Sequence, residues 1–129
     1  MRTVVKTPKG PQPRGPYSQA IVADGFVFVA GQGAINPSTN EFELGDVAAE
    51  TRRTLQNIQA ILEGAGSSLA DVVRVGVFLA DIKDFDAMNA VYTEFFPKDP
   101  PARTTVGVQL SKIKVEIDCI ARVSGPAKA

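Results

Sequence analysis

Apolar and polar residues alternate with two different periods along this chain, and the switches between them mark its elements. A short β-prone run, Thr3-Val4-Val5, precedes a Pro- and Gly-rich segment from Pro8 to Pro16 that reads as a loop of limited conformational freedom. Gln19–Ala23 and Phe26–Ala30 are apolar runs joined by Asp24-Gly25, a strong hairpin signal. The second run is apolar at every position, which predicts a central strand covered on both faces. Gly31-Gln32-Gly33 ends it, and Asn36-Pro37-Ser38-Thr39-Asn40 reads as a turn. From Asp46 the period changes to about 3.6: Val47, Thr51, Leu55, Ile58 and Leu62 predict a helix, capped by Asp46 and stopped at Gly64 or Gly66. Val72–Ala80 is a β-branched strand, and Asp84 caps a second helix with Phe85, Met88, Tyr92 and Phe95 on its face, ended by Pro97, Pro100 and Pro101.

Two more alternating stretches follow. In Ala102–Leu110 the even positions are apolar or small, which predicts a core face there and an outward face with Arg103, Thr105, Gly107 and Gln109. In Val115–Ala121 the odd positions are apolar and Lys114, Glu116 and Asp118 face the other way. The order β-β-β-α-β-α-β-β predicts an α+β fold, one mixed sheet of about six strands with two helices on one face, in a single domain over residues 1–129. That leaves a second sheet face, expected to carry Arg74, Gly76, Phe78, Arg103, Thr105, Gly107, Gln109, Lys114, Glu116 and Asp118. Glycine inside a strand often marks close approach of another backbone, so Gly76 and Gly107 suggest that this face meets another subunit; the alternative is a solvated face.

Composition narrows the chemistry. Fourteen basic against 14 acidic residues give a net charge of zero, which argues against nucleic acid or an anionic membrane as principal partner and favours self-association. No apolar run is long enough to span a bilayer and no secretory pattern opens the chain, so the expected location is cytoplasmic. With no His and one Cys, the Ser-His-Asp and Cys-His nucleophile systems and the common zinc sets are out of reach. Cys119 shares the apolar parity of Val115 and Ile117 and reads as a buried, inert thiol. Catalysis, if present, falls to carboxylate, Arg, Tyr, hydroxyl, backbone N–H or water, and Arg103 with Glu116 is the best available pair. Glu43, Glu50 and Glu63 read as solvated charges.

Several motifs occur in one order across the domain: Gly15-Pro16-Tyr17-Ser18-Gln19-Ala20, Ala30-Gly31-Gln32, Asn36-Pro37, Val72-Val73-Arg74, Asp84-Phe85 with Asn89, Pro101-Ala102-Arg103 and Val115-Glu116-Ile117. Over Gly15 to Arg122 the chain resembles the reactive intermediate deaminase family (RidA; YjgF/YER057c/UK114). The resemblance implies a chorismate mutase-like fold, a homotrimer with a barrel-like core and clefts between neighbouring subunits. It also implies hydrolysis of 2-imino acids or their enamine tautomers to 2-oxo acids and ammonium, with Arg103 gripping the carboxylate and Glu116 positioning water. Tyr17, the backbone around Gly31, Asn89 and Thr105 match positions lining that cleft. Ala30 stands where many such deaminases have Ser, and Thr105 where they have Cys, so the preferred side chain is open. Arg14 replaces a commonly apolar residue and either adds an anion contact or is solvated.

The residues suit that chemistry on their own terms. A guanidinium holds a carboxylate through two parallel hydrogen bonds, and a carboxylate can orient water and take its proton. No metal, flavin or pyridoxal cofactor is called for. Two other readings stand beside it: a deaminase of a larger enamine such as 2-aminomuconate, and a non-catalytic or chaperone-like trimer that binds carboxylate metabolites. In the bland alternative Arg103 and Glu116 are a structural ion pair across a subunit boundary, Tyr17 an interface aromatic, Asn89 an exposed helix residue and Thr105 a β-former.

Overall fold

Asp24 and Gly25 both take positive φ, 51° and 81°, the two-residue geometry whose twist matches that of the strands it joins. It links β2 (Ala20–Ala23) to β3 (Phe26–Gln32), with β1 (Arg2–Val5) antiparallel on the far side of β2. The computed structural model describes residues 1–124. The expected domain of 1–129 therefore extends over five residues, 125–129, outside the described ones. The expected turn at 36–40 is a small antiparallel ribbon of its own, β4 (Ile35–Asn36) with β5 (Glu41–Phe42).

Helix α1 (Val47–Gly64) begins as the sequence predicts, the Asp46 side chain accepting a hydrogen bond from the Ala49 N–H at 2.8 Å. It ends in a Schellman arrangement around Gly66, whose φ is 79°: Ser67 N–H donates to Leu62 C=O and Gly66 N–H to Glu63 C=O. Strand β6 (Val72–Leu79) leads through α2 (Phe85–Phe95) to β7 (Ala102–Gly107), parallel to β6. The start of α2 departs from expectation. Asp84 makes no side-chain cap; a 3-10 turn over Ile82–Asp84 precedes the helix, held by Asp81, which accepts from the Lys83 N–H at 2.9 Å. The buried stripe of α2 is Met88, Val91 and Tyr92, while Phe85 lies exposed at the helix start.

Strand β8 (Val115–Arg122) returns through the middle, and the six-stranded mixed sheet runs β1-β2-β3-β8-β6-β7. Both helices pack on one face. Val27 and Val29, Val75, Val77 and Leu79, and Val115, Ile117, Cys119 and Ala121 meet Leu55, Ile58, Ile61 and Leu62 of α1 and Met88 and Tyr92 of α2. Each large side chain buried this way contributes about 1.5–3 kcal/mol. Cys119 is buried as expected, and its thiol is pushed up to about 12, by desolvation first and the Asp118 charge second.

The other face is bare in the single chain, so β3 is central but covered on one side: Val27 and Val29 are buried while Phe26 and Phe28 are exposed. A shallow depression of about 500 Å³ occupies this face, lined by Phe28, Arg74, Phe78, Val106, Asp118 and Ile120. Gly76 lets the Asp118 carboxylate lie against its backbone.

Glu50, expected to be solvated, is fully buried. Its carboxylate accepts from the Lys114 N–H at 2.7 Å and the Gly45 N–H at 3.2 Å, and the Lys114 ammonium lies 3.4 Å away. It fastens the start of α1 to the start of β8.

A candidate site split between two sheet faces

Strand register decides where the site residues point. In the β6–β7 ladder Val75 pairs with Arg103 and Val77 with Thr105, so Arg103 and Thr105 share the helix-side face of the buried Val75 and Val77. Gly76 and Phe78 pair with Thr104 and Val106, which lie on the bare face. The parity expected for β7 is therefore inverted: its apolar positions belong to the uncovered face, and Arg103, Thr105 and Gly107 do not. Helix α2 covers β7 only in part, so a polar residue on the helix side of this edge strand still reaches a surface recess. Glu116 does face as expected. It pairs with Phe78 on the bare side, as Asp118 does with Gly76.

Arg103 sits in a recess of about 350 Å³ between β7 and α2, lined by Asn89, Tyr92, Phe96, Pro97, Pro101 and Arg103 itself. Its guanidinium lies over the Tyr92 ring at 4.6 Å from the centroid and over Phe85 at 5.5 Å. The ion pairs among the described residues are Arg52–Glu94 and Lys114–Glu50, so Arg103 has no carboxylate partner there. Asn89 Oδ1 and the Tyr92 hydroxyl are buried without a hydrogen-bond partner among those residues. Desolvation pushes the Tyr92 hydroxyl up and the Arg103 charge pulls it partly back. From its pattern Tyr92 belongs to the core face of α2, yet it also lines this recess; its spacing of three from Asn89 puts both on one helix side.

Glu116 stands beside Gly31, where β3 bulges between Val29 and Gln32. A Cβ on Gly31 would come within 2.6 Å of Glu116 Oε2, so only glycine leaves the carboxylate its place. Burial first and the Asp118 charge second push the Glu116 carboxyl above the usual carboxylate range.

Tyr17 lies on the loop before β2, exposed, its hydroxyl accepting from the Arg14 N–H at 3.0 Å. The Arg14 guanidinium donates to Asn40 C=O at 2.7 Å and stacks on Phe42. Four strand spacings, roughly 19 Å, separate β2 from β7. One chain thus brings together Arg103, Asn89 and Tyr92, with Thr105 on the same face of β7 but outside that recess lining, and separately Glu116 with Gly31, but does not join the two groups or bring Tyr17 to Arg103. Among the described residues no group of His, Cys, Asp and Glu could hold a metal ion, and no helix is long and apolar enough to cross a membrane.

A mixed sheet with two helices on one face and an Arg-centred recess at its edge is a fold with known relatives. Residues 7–123 match the family model described as Endoribonuclease L-PSP, and the chain belongs to that family, which includes the YjgF and RidA proteins. It is 50% identical over 123 residues to a RutC family protein of Pyrococcus horikoshii, covering 94% of this chain and 98% of that one. It is 41% identical over 121 residues to the 2-iminobutanoate/2-iminopropanoate deaminase of Dermatophagoides farinae, covering 92% and 94%. The crystal structure of Escherichia coli TdcF with bound serine superposes with a TM-score of 0.87 at 34% identity, covering 93% of this chain and 98% of that one. The family resemblance and the fold expected from the sequence are both upheld; the names of the relatives range from RutC family protein to deaminase.

Proposed function

We propose that the protein is a hydrolytic deaminase of 2-imino acids and their enamine tautomers, acting as a homotrimer whose clefts join Arg103 of one subunit to Glu116 of the partner subunit. The observation that carries this reading is a guanidinium without a carboxylate partner among the described residues, in a recess at the sheet edge, with a carboxylate of raised pKa on the opposite face. Each is half of what the reaction needs, and a second copy supplies the other half. The apolar bare face, with Phe28, Phe78, Val106 and Ile120, supports such an assembly.

Arg103 binds the substrate carboxylate through two parallel N–H donors and so places the C=N carbon. Glu116 accepts a hydrogen bond from water and takes its proton as the water oxygen bonds to that carbon. The resulting tetrahedral carbinolamine collapses: Glu116 returns its proton to the nitrogen, the C–N bond breaks as the carbinol hydroxyl gives up its proton to the departing ammonia, and the protonated imine has become a 2-oxo acid and ammonium. A carboxyl whose pKa is raised by burial serves both steps better than an ordinary one. Tyr17, Gly31, Asn89 and Thr105 line the cleft. The name serine-bound TdcF carries, and the deaminase name of the mite relative, support a small carboxylate-bearing substrate. The ribonuclease name of the family model draws less support here, since the chain has no His and no excess positive charge.

Ammonium release from a 2-imino acid generated in situ by an amino-acid oxidase tests the reading. Wild type accelerates it, Arg103→Ala lowers kcat/KM by at least about a hundredfold, and Glu116→Gln lowers kcat by about 10². Unchanged turnover in both variants refutes the assignment. A Glu116→Gln protein that keeps its function would instead mark a carboxylate-binding trimer without catalysis.

A further inference from the structure

We propose that Phe85 and Tyr92 are positioning residues, an aromatic cradle that holds the Arg103 guanidinium so that its edge is presented to an incoming carboxylate; this rests on the carboxylate-binding role proposed for Arg103. The guanidinium lies 4.6 Å from the Tyr92 ring centroid and 5.5 Å from that of Phe85. The two aromatics are seven residues apart on α2, two helical turns, and so share the side that meets β7. Tyr92 is itself fixed: the residue is 5% exposed and its ring lies against Phe96 at a centroid distance of 4.8 Å.

A long Arg side chain with no ion-pair partner among the described residues would otherwise sample many rotamers and bind at the entropic cost of choosing one. A ring stacked on a guanidinium meets the face of its plane, whereas the N–H donors lie in that plane. Aromatic rings can therefore immobilise the group without consuming the donors that a carboxylate needs. An acidic partner in the same place would hold Arg103 equally well but occupy its donors. The Tyr92 hydroxyl is buried, which raises its pKa, and lies close enough to Arg103 for the guanidinium to pull it partly back down, so Tyr92→Phe separates the oxygen's share of the holding from the ring's.

The test is steady-state turnover of in-situ 2-iminopropanoate together with calorimetric binding of 2-oxobutanoate, on Tyr92→Phe, Tyr92→Leu, Phe85→Leu and Arg103→Ala. We expect Tyr92→Leu to raise KM and the dissociation constant roughly tenfold with kcat within about twofold. Phe85→Leu, the more distant ring, should raise both roughly threefold, and Tyr92→Phe, which keeps the ring, should stay within about twofold of wild type. The proposal is overturned if both Leu variants bind and turn over as wild type while Arg103→Ala loses both, or if Tyr92→Phe falls as far as Tyr92→Leu. Should Tyr92→Leu fail to fold by circular dichroism, the half-exposed Phe85 decides alone. If Arg103→Ala changes nothing, the carboxylate-binding reading itself fails and the cradle with it.

Discussion

Strands β7 and β8 read alike in the sequence, each alternating cleanly and each carrying one of the two residues on which the proposed chemistry turns, yet only β8 faces as its pattern suggests. β8 lies inside the sheet, so its apolar positions Val115, Ile117 and Cys119 have one place to go, under the helices. β7 is an edge strand of the single chain with partial helix cover, and its apolar Val106 points to the bare face, 37% exposed. The difference teaches that alternation defines two faces but not their destinations. A hydrophobic parity aimed away from the chain's own core is what the proposed assembly would cover with another copy.

The comparison can be broken most forcefully at Val106. A charge in Val106→Asp should abolish self-association in light scattering and lower deaminase turnover by at least about a hundredfold, since an inter-subunit site vanishes with the interface. A monomeric wild type, or a variant with unchanged mass and turnover, would make β7's apolar side an ordinary surface. Gly31→Ala comes next. Its Cβ would press on Glu116 Oε2, and displacing that carboxylate by a fraction of an ångström should cost about tenfold in kcat while the fold survives.

A subtler change sharpens the role of β8. Because burial and Asp118 raise the Glu116 pKa, the ionised base is lost, and kcat/KM falls, as pH drops through that raised value. Asp118→Asn should move this acid limb to lower pH; a limb that stays put would remove Glu116 from the reaction. Stability has the matching sign. The folded-state pKa exceeds the unfolded one, so the favourable contribution of Glu116 is full below the ordinary carboxylate range and declines as pH rises through the folded value. Urea midpoints of wild type against Glu116→Gln across that window should diverge with rising pH. The smallest effect lies outside both strands: Asp46→Ala removes the α1 cap for about 1 kcal/mol in urea unfolding, with turnover unchanged.

Much of the fold was legible because its signals are local. Asp24-Gly25 specifies a hairpin by its own φ preferences, and Asp46 and Gly66 bound α1 through hydrogen bonds to neighbouring residues. What escaped depends on distant partners. Glu50 reads as a solvated charge, although Glu50, Thr54, Asn57 and Ile61 recur on one stripe; its burial is allowed by the backbone N–H groups of Gly45 and Lys114, the latter 64 residues away. The site was legible as residue types and not as geometry. Arg103 and Glu116 could be picked out, but their opposite facing depends on how β6 inserts between β7 and β8. Tyr92 was hidden by having two roles, its ring packed in the core while its face meets Arg103.

Cys119 lends this molecule a built-in clock. A thiol shut beneath both helices and held protonated until about pH 12 is invisible to alkylating reagents while the layers stay closed. Each labelling event therefore requires the helices to lift from the sheet, and the rate at which iodoacetamide consumes this lone sulfur measures how often they part.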